Sequence, residues 1–187
     1  MKFVCFSLFL ICLFTAAAIS QPARSKNKSL TKIGEAMPAF SLTASDGKEF
    51  SVAALEGKII YVNFWATWCP PCLEEFPCVE KEIWEKYKAS ENFAMVAIAR
   101  EQSADEILPF RNKYTFPMAS DLDRQVYKLF GDSGLPRSYV VGANGRILFQ
   151  SIGYDPTEFS RMIKIIDAAL NESEKKPDES KEILPKN

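Results

Sequence analysis

Runs of apolar residues alternate with polar stretches along the chain, and their lengths predict its main elements. Two runs, Ile59–Trp65 ("IIYVNFW") and Phe93–Ala99 ("FAMVAIA"), have the length and residue types of buried strands. Between them, from about Pro71 to Lys88, the pattern turns charged and helical, with Pro77 expected to kink the helix. Two strands separated by a helix favour a parallel pair.

Two further stretches have the pattern of β-hairpins. The sequence "FSLTASDGKEFSV" places two short strands around the turn Asp46-Gly47. The sequence "SYVVGANGRILFQSI" places two apolar runs around Ala143-Asn144-Gly145. A hairpin at each end of the domain adds antiparallel strands to the parallel pair.

The remaining elements are predicted helices. "ADEILPFRNKY" is helical in pattern with a proline interruption, and Asp123 is predicted to cap a short helix. Asp155-Pro156 begins the last helix, and its apolar face consists of Phe159, Met162, Ile163, Ile166 and Leu170. The order hairpin, β, α, β, α, short α, hairpin, α predicts an α/β fold: a mixed sheet with helices on both faces.

The two ends of the chain do not have the pattern of a folded domain. Residues 1–20 have a short positive start, an apolar stretch and the small residues "TAAAIS", as in a signal peptide cleaved after Ser20. The alternative is an uncleaved membrane anchor through residues 3–19. We expect a polar tether at 21–32, a domain at 33–171 and a disordered charged tail at 172–187.

Composition narrows the chemistry that the domain can perform. The 187 residues suit one domain, and a formal net charge of −1 without a basic run gives no indication of nucleic-acid binding. The chain contains no histidine, which removes the commonest general base and the commonest metal ligand. Any catalysis must therefore use cysteine, carboxylate, lysine or tyrosine.

Export would leave three cysteines, of which Cys69 and Cys72 are separated only by Pro70-Pro71. Cys69 stands at a predicted helix start, where unpaired N–H groups and the helix dipole stabilise a thiolate. Cys72 lies one turn later, and Trp68 can form an apolar wall beside the pair. A static bridge or a zinc site is the alternative, but zinc needs about four ligands, and one remaining thiol cannot complete them. The pattern favours redox chemistry.

Several separated segments resemble the thioredoxin superfamily, and within it the TlpA/ResA-like exported thiol–disulfide oxidoreductases, which carry a redoxin domain. "NFWATWCPPC" resembles the active-site motif of that family, and Pro77 falls where its first helix kinks. "IGEAMPAFSLTASDGKEFSVAALEGK" resembles its N-terminal β-hairpin extension. "GLPRSYVVGANGRI" resembles the segment that carries its cis-proline, here Pro136. The resemblance covers about Ile33 to Leu170 and implies a thioredoxin-like fold.

The resemblance also implies roles for individual residues. Cys69 would be the exposed nucleophile and Cys72 the buried thiol that resolves the mixed disulfide. Pro136 would pack against the pair, and its cis bond would expose the backbone of Leu135 to an incoming peptide. Glu75 matches an acidic position that would manage protons, and the alternative interpretation is a solvated helix glutamate.

Asn63 departs from the thioredoxin pattern, and Cys78 is a third thiol outside the Cys69–Cys72 pair. Cytoplasmic thioredoxins bury an aspartate where this chain has Asn63, and an amide cannot take the proton released when Cys72 attacks. Either Glu75 or water does so, or deprotonation is slower. Cys78 is predicted to face away from the pair as a small buried residue, with a second redox or dimerising thiol as the alternative.

The resemblance implies an exported enzyme of the bacterial envelope or periplasm that reduces disulfides of exported proteins. It would need no cofactor and would take electrons from a membrane partner. A thiol peroxidase is one alternative, with Thr67 near the thiol, although the adjacent resolving cysteine argues against it. A copper-binding chaperone is another, and the absence of histidine argues against that.

Overall fold

The computed structural model describes residues 29–175, which build one mixed five-stranded sheet and a separate two-stranded hairpin. The strands of the large sheet lie in the order β5-β4-β3-β6-β7. β3, β4 and β5 run parallel, whereas β6 and β7 are antiparallel to their neighbours. The elements in chain order are β1 Ser41–Thr43, β2 Glu49–Ser51, a 3₁₀ turn Ala53–Leu55, β3 Ile59–Trp65, α1 Pro70–Cys78, a π-helical segment Val79–Trp84, α2 Glu85–Tyr87, β4 Phe93–Arg100, α3 Ala104–Arg111, β5 Met118–Asp121, a 3₁₀ turn Tyr127–Leu129, β6 Arg137–Val141, β7 Ile147–Ile152 and α4 Pro156–Lys175.

The sheet is covered on both faces, which explains why its central strand is continuously apolar. Every residue of β3 is buried. One face packs against α1, α3 and α4 in a cluster that includes Trp65, Phe76 and both Cys69 and Cys72. The opposite face packs against the 3₁₀ turn Tyr127–Leu129 and the β1–β2 hairpin. The predicted mixed sheet with helical segments on both faces is confirmed.

The N-terminal hairpin forms where the turn residues predicted it. β1 and β2 pair antiparallel, and Gly47 takes a positive φ of 79° in the turn between them. The Asp46 carboxylate accepts a hydrogen bond from the backbone N–H of Lys48 at 3.1 Å. The extension expected from the family resemblance is therefore present.

The helix after the first long strand covers about the predicted range but is less regular than its pattern indicated. α1 begins at Pro70, contains Pro77, and continues without a break through the π-helical segment Val79–Trp84 into α2, which ends at Tyr87. Pro77 has no N–H to donate, so one helical hydrogen bond is missing there. The π-helical segment begins two residues after the proline.

Two predictions about the middle of the chain were incomplete or wrong. β5 (Met118–Asp121) was not predicted, because four residues with only two strongly apolar members carry little strand signal. Asp123 does not cap the following turn and is exposed. The buried Asp121 does so instead, since its carboxylate accepts hydrogen bonds from the N–H groups of Val126 and Tyr127 at 3.1 and 2.7 Å.

The folded domain begins before the predicted boundary at residue 33. Ser29 forms a β-bridge with Gly131, and Thr31 is buried and hydrogen-bonded to Gln150. The predicted polar tether at 21–32 is thus wrong for its last residues, because these backbone and side-chain groups find partners on the domain. At the other end α4 continues to Lys175, beyond the predicted limit of 171.

The predicted signal peptide, the first part of the tether and the end of the tail lie outside the described residues. Within the range 29–175, no helix is both long enough and apolar enough to cross a bilayer.

Candidate active site

The Cys69–Cys72 disulfide lies at the junction of β3 and α1. The chain leaves the sheet at Trp65, turns through Ala66 and Thr67, and Cys69 then takes an extended conformation as the N-cap residue of α1. The two prolines occupy the first helical positions, where a missing N–H costs nothing. The two sulfurs are bonded at 2.10 Å, with Cα atoms 5.3 Å apart.

The disulfide is covered almost completely, so the expectation that Cys69 is exposed is wrong for the oxidised protein. Cys69 is 4% exposed and Cys72 is 0% exposed. The backbone N–H groups of Cys72 and Leu73 both donate to the carbonyl of Cys69. Cys69 therefore occupies the outer position, and Cys72 lies within the helix over the core.

The loop in front of the disulfide is held by Gln102, which follows the end of β4. Gln102 is 2% exposed, and its side-chain carbonyl accepts a hydrogen bond from the N–H of Thr67 at 2.7 Å. The Gln102 amide donates in turn to the Thr67 hydroxyl. Trp68 is 59% exposed, and the Arg100 guanidinium lies 5.3 Å from its ring centre. Trp68 thus presents an aromatic surface to solvent beside the disulfide and is not a buried wall.

Glu75 lies on the inner side of α1 and is only 2% exposed, which excludes a solvated glutamate. Asn63 donates to its Oε2 at 2.9 Å, and the Ser138 hydroxyl donates to its Oε1 at 3.2 Å. Burial raises the pKa of Glu75 from 4.5 to about 7, against the lowering effect of these two hydrogen bonds. The carboxyl group can therefore both bind and release a proton near neutral pH.

Asn63 connects this carboxyl to two further buried polar atoms, the hydroxyl oxygens of Ser138 and Tyr61. Its Nδ2 lies 3.1 Å from Ser138 Oγ and 3.3 Å from Tyr61 Oη, in addition to Glu75. Tyr61 Oη and Ser138 Oγ are 3.2 Å apart. Burial and the neighbouring Glu75 charge raise the pKa of Tyr61 well above 10, so the phenol stays protonated. Three neutral groups thus surround one titratable carboxyl.

The segment before β6 has the predicted backbone. The Leu135–Pro136 peptide bond is cis, as expected. Leu135 is partly buried and packs against the core cluster that contains both cysteines. The carbonyl of Pro136 accepts a hydrogen bond from the N–H of Gly153, which joins this segment to the end of β7.

Cys78 was predicted to be buried, and this was wrong. It is a free, half-buried thiol whose Sγ lies 3.5 Å from Tyr154 Oη. The prediction assumed the residue spacing of an ideal α-helix. Because the π-helical segment begins immediately after Cys78, that spacing did not predict which groups surround the thiol.

Comparison with known proteins decides the family. The family model described as Redoxin matches residues 32–170. The chain belongs to the redoxin family. This redoxin is 31% identical over 134 residues to the thiol-disulfide oxidoreductase ResA of Bacillus anthracis, covering 71% of this chain and 76% of that protein. It is 32% identical over 117 residues to ResA of Bacillus subtilis strain 168, covering 62% and 64%.

Solved structures place the redoxin in the same group. A candidate protein disulfide isomerase from Bacteroides thetaiotaomicron superimposes with a TM-score of 0.74 at 30% identity, covering 78% of this chain and 94% of that one. A thiol:disulfide interchange protein of the thioredoxin family from Chlorobium tepidum gives 0.60 at 31% identity, covering 75% and 99%. This redoxin is thus a TlpA/ResA-like member of the thioredoxin superfamily and a protein-disulfide oxidoreductase.

Sequence reasoning missed four residues of the site. Ser138 and Tyr61 reach it through the register of the sheet, Arg100 is the last residue of β4, and Gln102 follows that strand. A signal for one of them was present: Ser138 is a hydroxyl at the start of an apolar strand.

Proposed function

We propose that this chain is an exported enzyme that reduces disulfides of envelope proteins through the dithiol of Cys69 and Cys72. The observation that carries the proposal is the disulfide at the start of α1, with Cys69 outermost and Cys72 inside the helix. The ResA relatives support the reaction class. The short positive start, the apolar stretch and the small residues of segment 1–20 support export.

The proposed reaction consumes the reduced form of the pair. The Cys69 thiolate attacks one sulfur of a substrate disulfide, that S–S bond breaks, and the released substrate thiolate takes up a proton. Cys72 then loses its proton and attacks the Cys69 sulfur, which releases the second substrate thiol. The substrate gains two electrons and two protons, and the Cys69–Cys72 disulfide forms. A membrane partner then returns two electrons to the enzyme.

Three neighbours support the reaction. Glu75 is the proposed acceptor of the Cys72 proton, because its carboxyl changes charge near neutral pH. The backbone of Leu135, next to Pro136, is the proposed pairing edge for the substrate strand. Trp68 offers exposed aromatic surface for the substrate side chains that flank the disulfide.

Trapping of mixed disulfides tests the two thiol roles. Cys72→Ser can form the mixed disulfide but cannot resolve it, so it should accumulate covalent adducts in extracts of the cell envelope. Cys69→Ser is the matched control and should trap few. We expect adducts that disappear on reduction with dithiothreitol. Equal trapping by both variants, or trapping by Cys69→Ser alone, would contradict the assignment.

The reduction potential of the pair tests the direction. A value near that of thioredoxin, about −270 mV, supports a reductant. A value near that of the strong periplasmic oxidants, about −120 mV, would instead identify an enzyme that introduces disulfides. The potential is measured by equilibrating the purified protein with glutathione or dithiothreitol buffers and quantifying free thiols.

A further inference from the structure

A row of polar side chains crosses the sheet beneath α1. Asn63 on β3 is the register partner of Ser138 on β6, and Ser138 is the partner of Ser151 on β7. Partners in antiparallel strands project to the same face, so all three lie on the side where α1 and α4 pack. The next row, Tyr61, Val140 and Phe149, is largely apolar. β7 is the edge strand, so the polar row leads from the sheet centre outward.

A small cavity continues this row toward solvent. Glu75 lines it together with Ser151, Tyr154, Asp155 and Glu158, and the rest of its wall is apolar. The space open to the centre of a water molecule is about 10 Å³. A single bound water needs roughly 10–15 Å³ by that measure and two to four polar partners. The cavity therefore has the size and the polar groups for one water molecule.

Two tyrosines lie close enough to Glu75 for its charge to contribute to their pKa values. Tyr61 on β3 and Tyr154 after β7 both have pKa values raised above 10, the first by burial and the second by its hydrogen bond with Cys78. Both phenols therefore stay protonated. Glu74 and Cys78, on the same helix as Glu75, lie near Tyr154.

Two carboxylates stand at the outer end. The carboxylate of Asp155 caps α4, and the carboxylate of Glu158 is half exposed and pairs with Arg161. A proton that leaves Glu75 through the cavity thus moves from a buried carboxyl toward exposed negative charge.

We propose that one water molecule in this cavity, hydrogen-bonded to the Ser151 hydroxyl, carries protons between the Glu75 carboxyl and solvent at the β7 edge. The inference rests on the proposed role of Glu75 as acceptor of the Cys72 proton. In each step one O–H bond of the Glu75 carboxyl breaks, one forms on the water, and the water gives a proton to solvent. No electrons move.

The route opens close to the substrate face. Ile152 at the end of β7 is the register partner of Arg137, which in turn pairs with Phe64 near the end of β3, so the cavity lies at the end of the sheet where β3 meets α1. Gly153, which lines the cavity, also donates its N–H to the carbonyl of Pro136. A protein substrate bonded to Cys69 and paired with the Leu135 backbone would therefore lie beside the outer end of the cavity.

Hydrogen–deuterium exchange of the Glu75 carboxyl tests the route directly. The oxidised protein is held at a pH near 5, where Glu75 is protonated, and is mixed into D₂O while the infrared C=O band is followed; Glu75→Gln identifies the band. Ser151→Val and Ser151→Thr have the same shape and differ by one hydroxyl. We expect exchange in Ser151→Val to be about tenfold slower than in Ser151→Thr, the factor that one lost hydrogen bond gives. Equal rates in the two variants would overturn the proposal.

A second measurement leaves β7 unchanged. Cys72→Ser is coupled to a protein substrate as a mixed disulfide, and the Glu75 exchange rate is compared with that of the free variant. We expect slower exchange in the complex, because the substrate lies beside the outer end of the cavity, whereas an unchanged rate would contradict an exit at this end of β7. The first experiment uses oxidised protein without substrate, so its failure is distinct from failure of the proposed oxidoreductase activity.

Discussion

At the residue scale, the behaviour of Glu75 is decided by burial and not by its place in the sequence. The sequence allowed either a solvated glutamate or a proton acceptor, and a side chain that is 2% exposed leaves only the second environment. Asn63 then explains how that carboxyl is tolerated. An amide donates to the ionised carboxylate without adding a second negative charge, which an aspartate at this position would do.

Burial of Glu75 predicts a specific dependence of stability on pH. Its pKa is raised from 4.5 to about 7 in the folded protein, so the folded state binds the proton more tightly than the unfolded state. The resulting stabilisation is complete below pH 4.5 and is lost as the pH rises to about 7. Wild type should thus lose on the order of 3 kcal/mol relative to Glu75→Gln across this range. Urea unfolding of the oxidised proteins at a series of pH values measures the difference.

Glu74→Gln is the matched control, because it removes the adjacent carboxylate from the same helix. Its free energy of unfolding should follow the wild-type pH profile. A constant difference between wild type and Glu75→Gln at every pH would show that the Glu75 carboxyl titrates as it does in the unfolded chain.

The cysteines could be assigned from sequence, whereas the polar group around Glu75 could not. Cys69 and Cys72 depend on local geometry, since a strand end, two prolines and a helix start fix them within a few residues. Ser138 reaches Glu75 from 63 positions away, through the β3–β6 register. That register depends on which strands pair with each other, and the sequence pattern alone does not specify the pairing.

At the element scale, the predictions succeeded where an element is long or its turn residues mark it, as in the β1–β2 hairpin, and failed for the short strand β5. β3, β4 and α4 have patterns of seven or more residues and were placed correctly. β5 has four residues with little strand signal of their own, and its pairing with β4 stabilises it as a strand. The prediction of the helix cap was wrong for a related reason. Asp121 is the last residue of the unpredicted strand β5, so the sequence pattern indicated Asp123 as the cap.

The two aspartates give a direct test of the observed cap. Asp121 is buried and accepts from two backbone N–H groups, which Asp121→Ala would leave without partners. We expect Asp121→Ala to lose about 2 kcal/mol in free energy of unfolding. Asp123→Ala, at the exposed neighbouring aspartate, should stay within about 0.5 kcal/mol of wild type. Denaturant unfolding of both variants makes the comparison, and equal losses would contradict the assignment of the cap to Asp121.

At the scale of the whole molecule, the site is assembled from segments distant in the chain, and the N-terminal residues take part in holding them. Arg137 follows Pro136 directly and is completely buried. Its guanidinium donates to the Ser29 hydroxyl at 2.9 Å and to the Ser133 carbonyl at 2.6 Å. Ser29 and Thr31 are polar, as the residues of a solvated tether would be, so the sequence pattern does not distinguish the two. Their polar groups can form hydrogen bonds with the domain as well as with water.

The docking of residues 29–31 predicts that two shortened forms of the protein will differ in stability. A chain that begins at Lys28 keeps four hydrogen bonds to the domain, from Leu30 to Phe130, from Arg137 to Ser29, and two between Thr31 and Gln150. A chain that begins at Ile33 loses all four and uncovers Arg137. At roughly 1 kcal/mol per hydrogen bond, we expect it to be less stable by about 4 kcal/mol. Urea unfolding of both oxidised forms gives the difference. If the two forms unfold at the same urea concentration, these contacts do not stabilise the domain, and its boundary lies at residue 33.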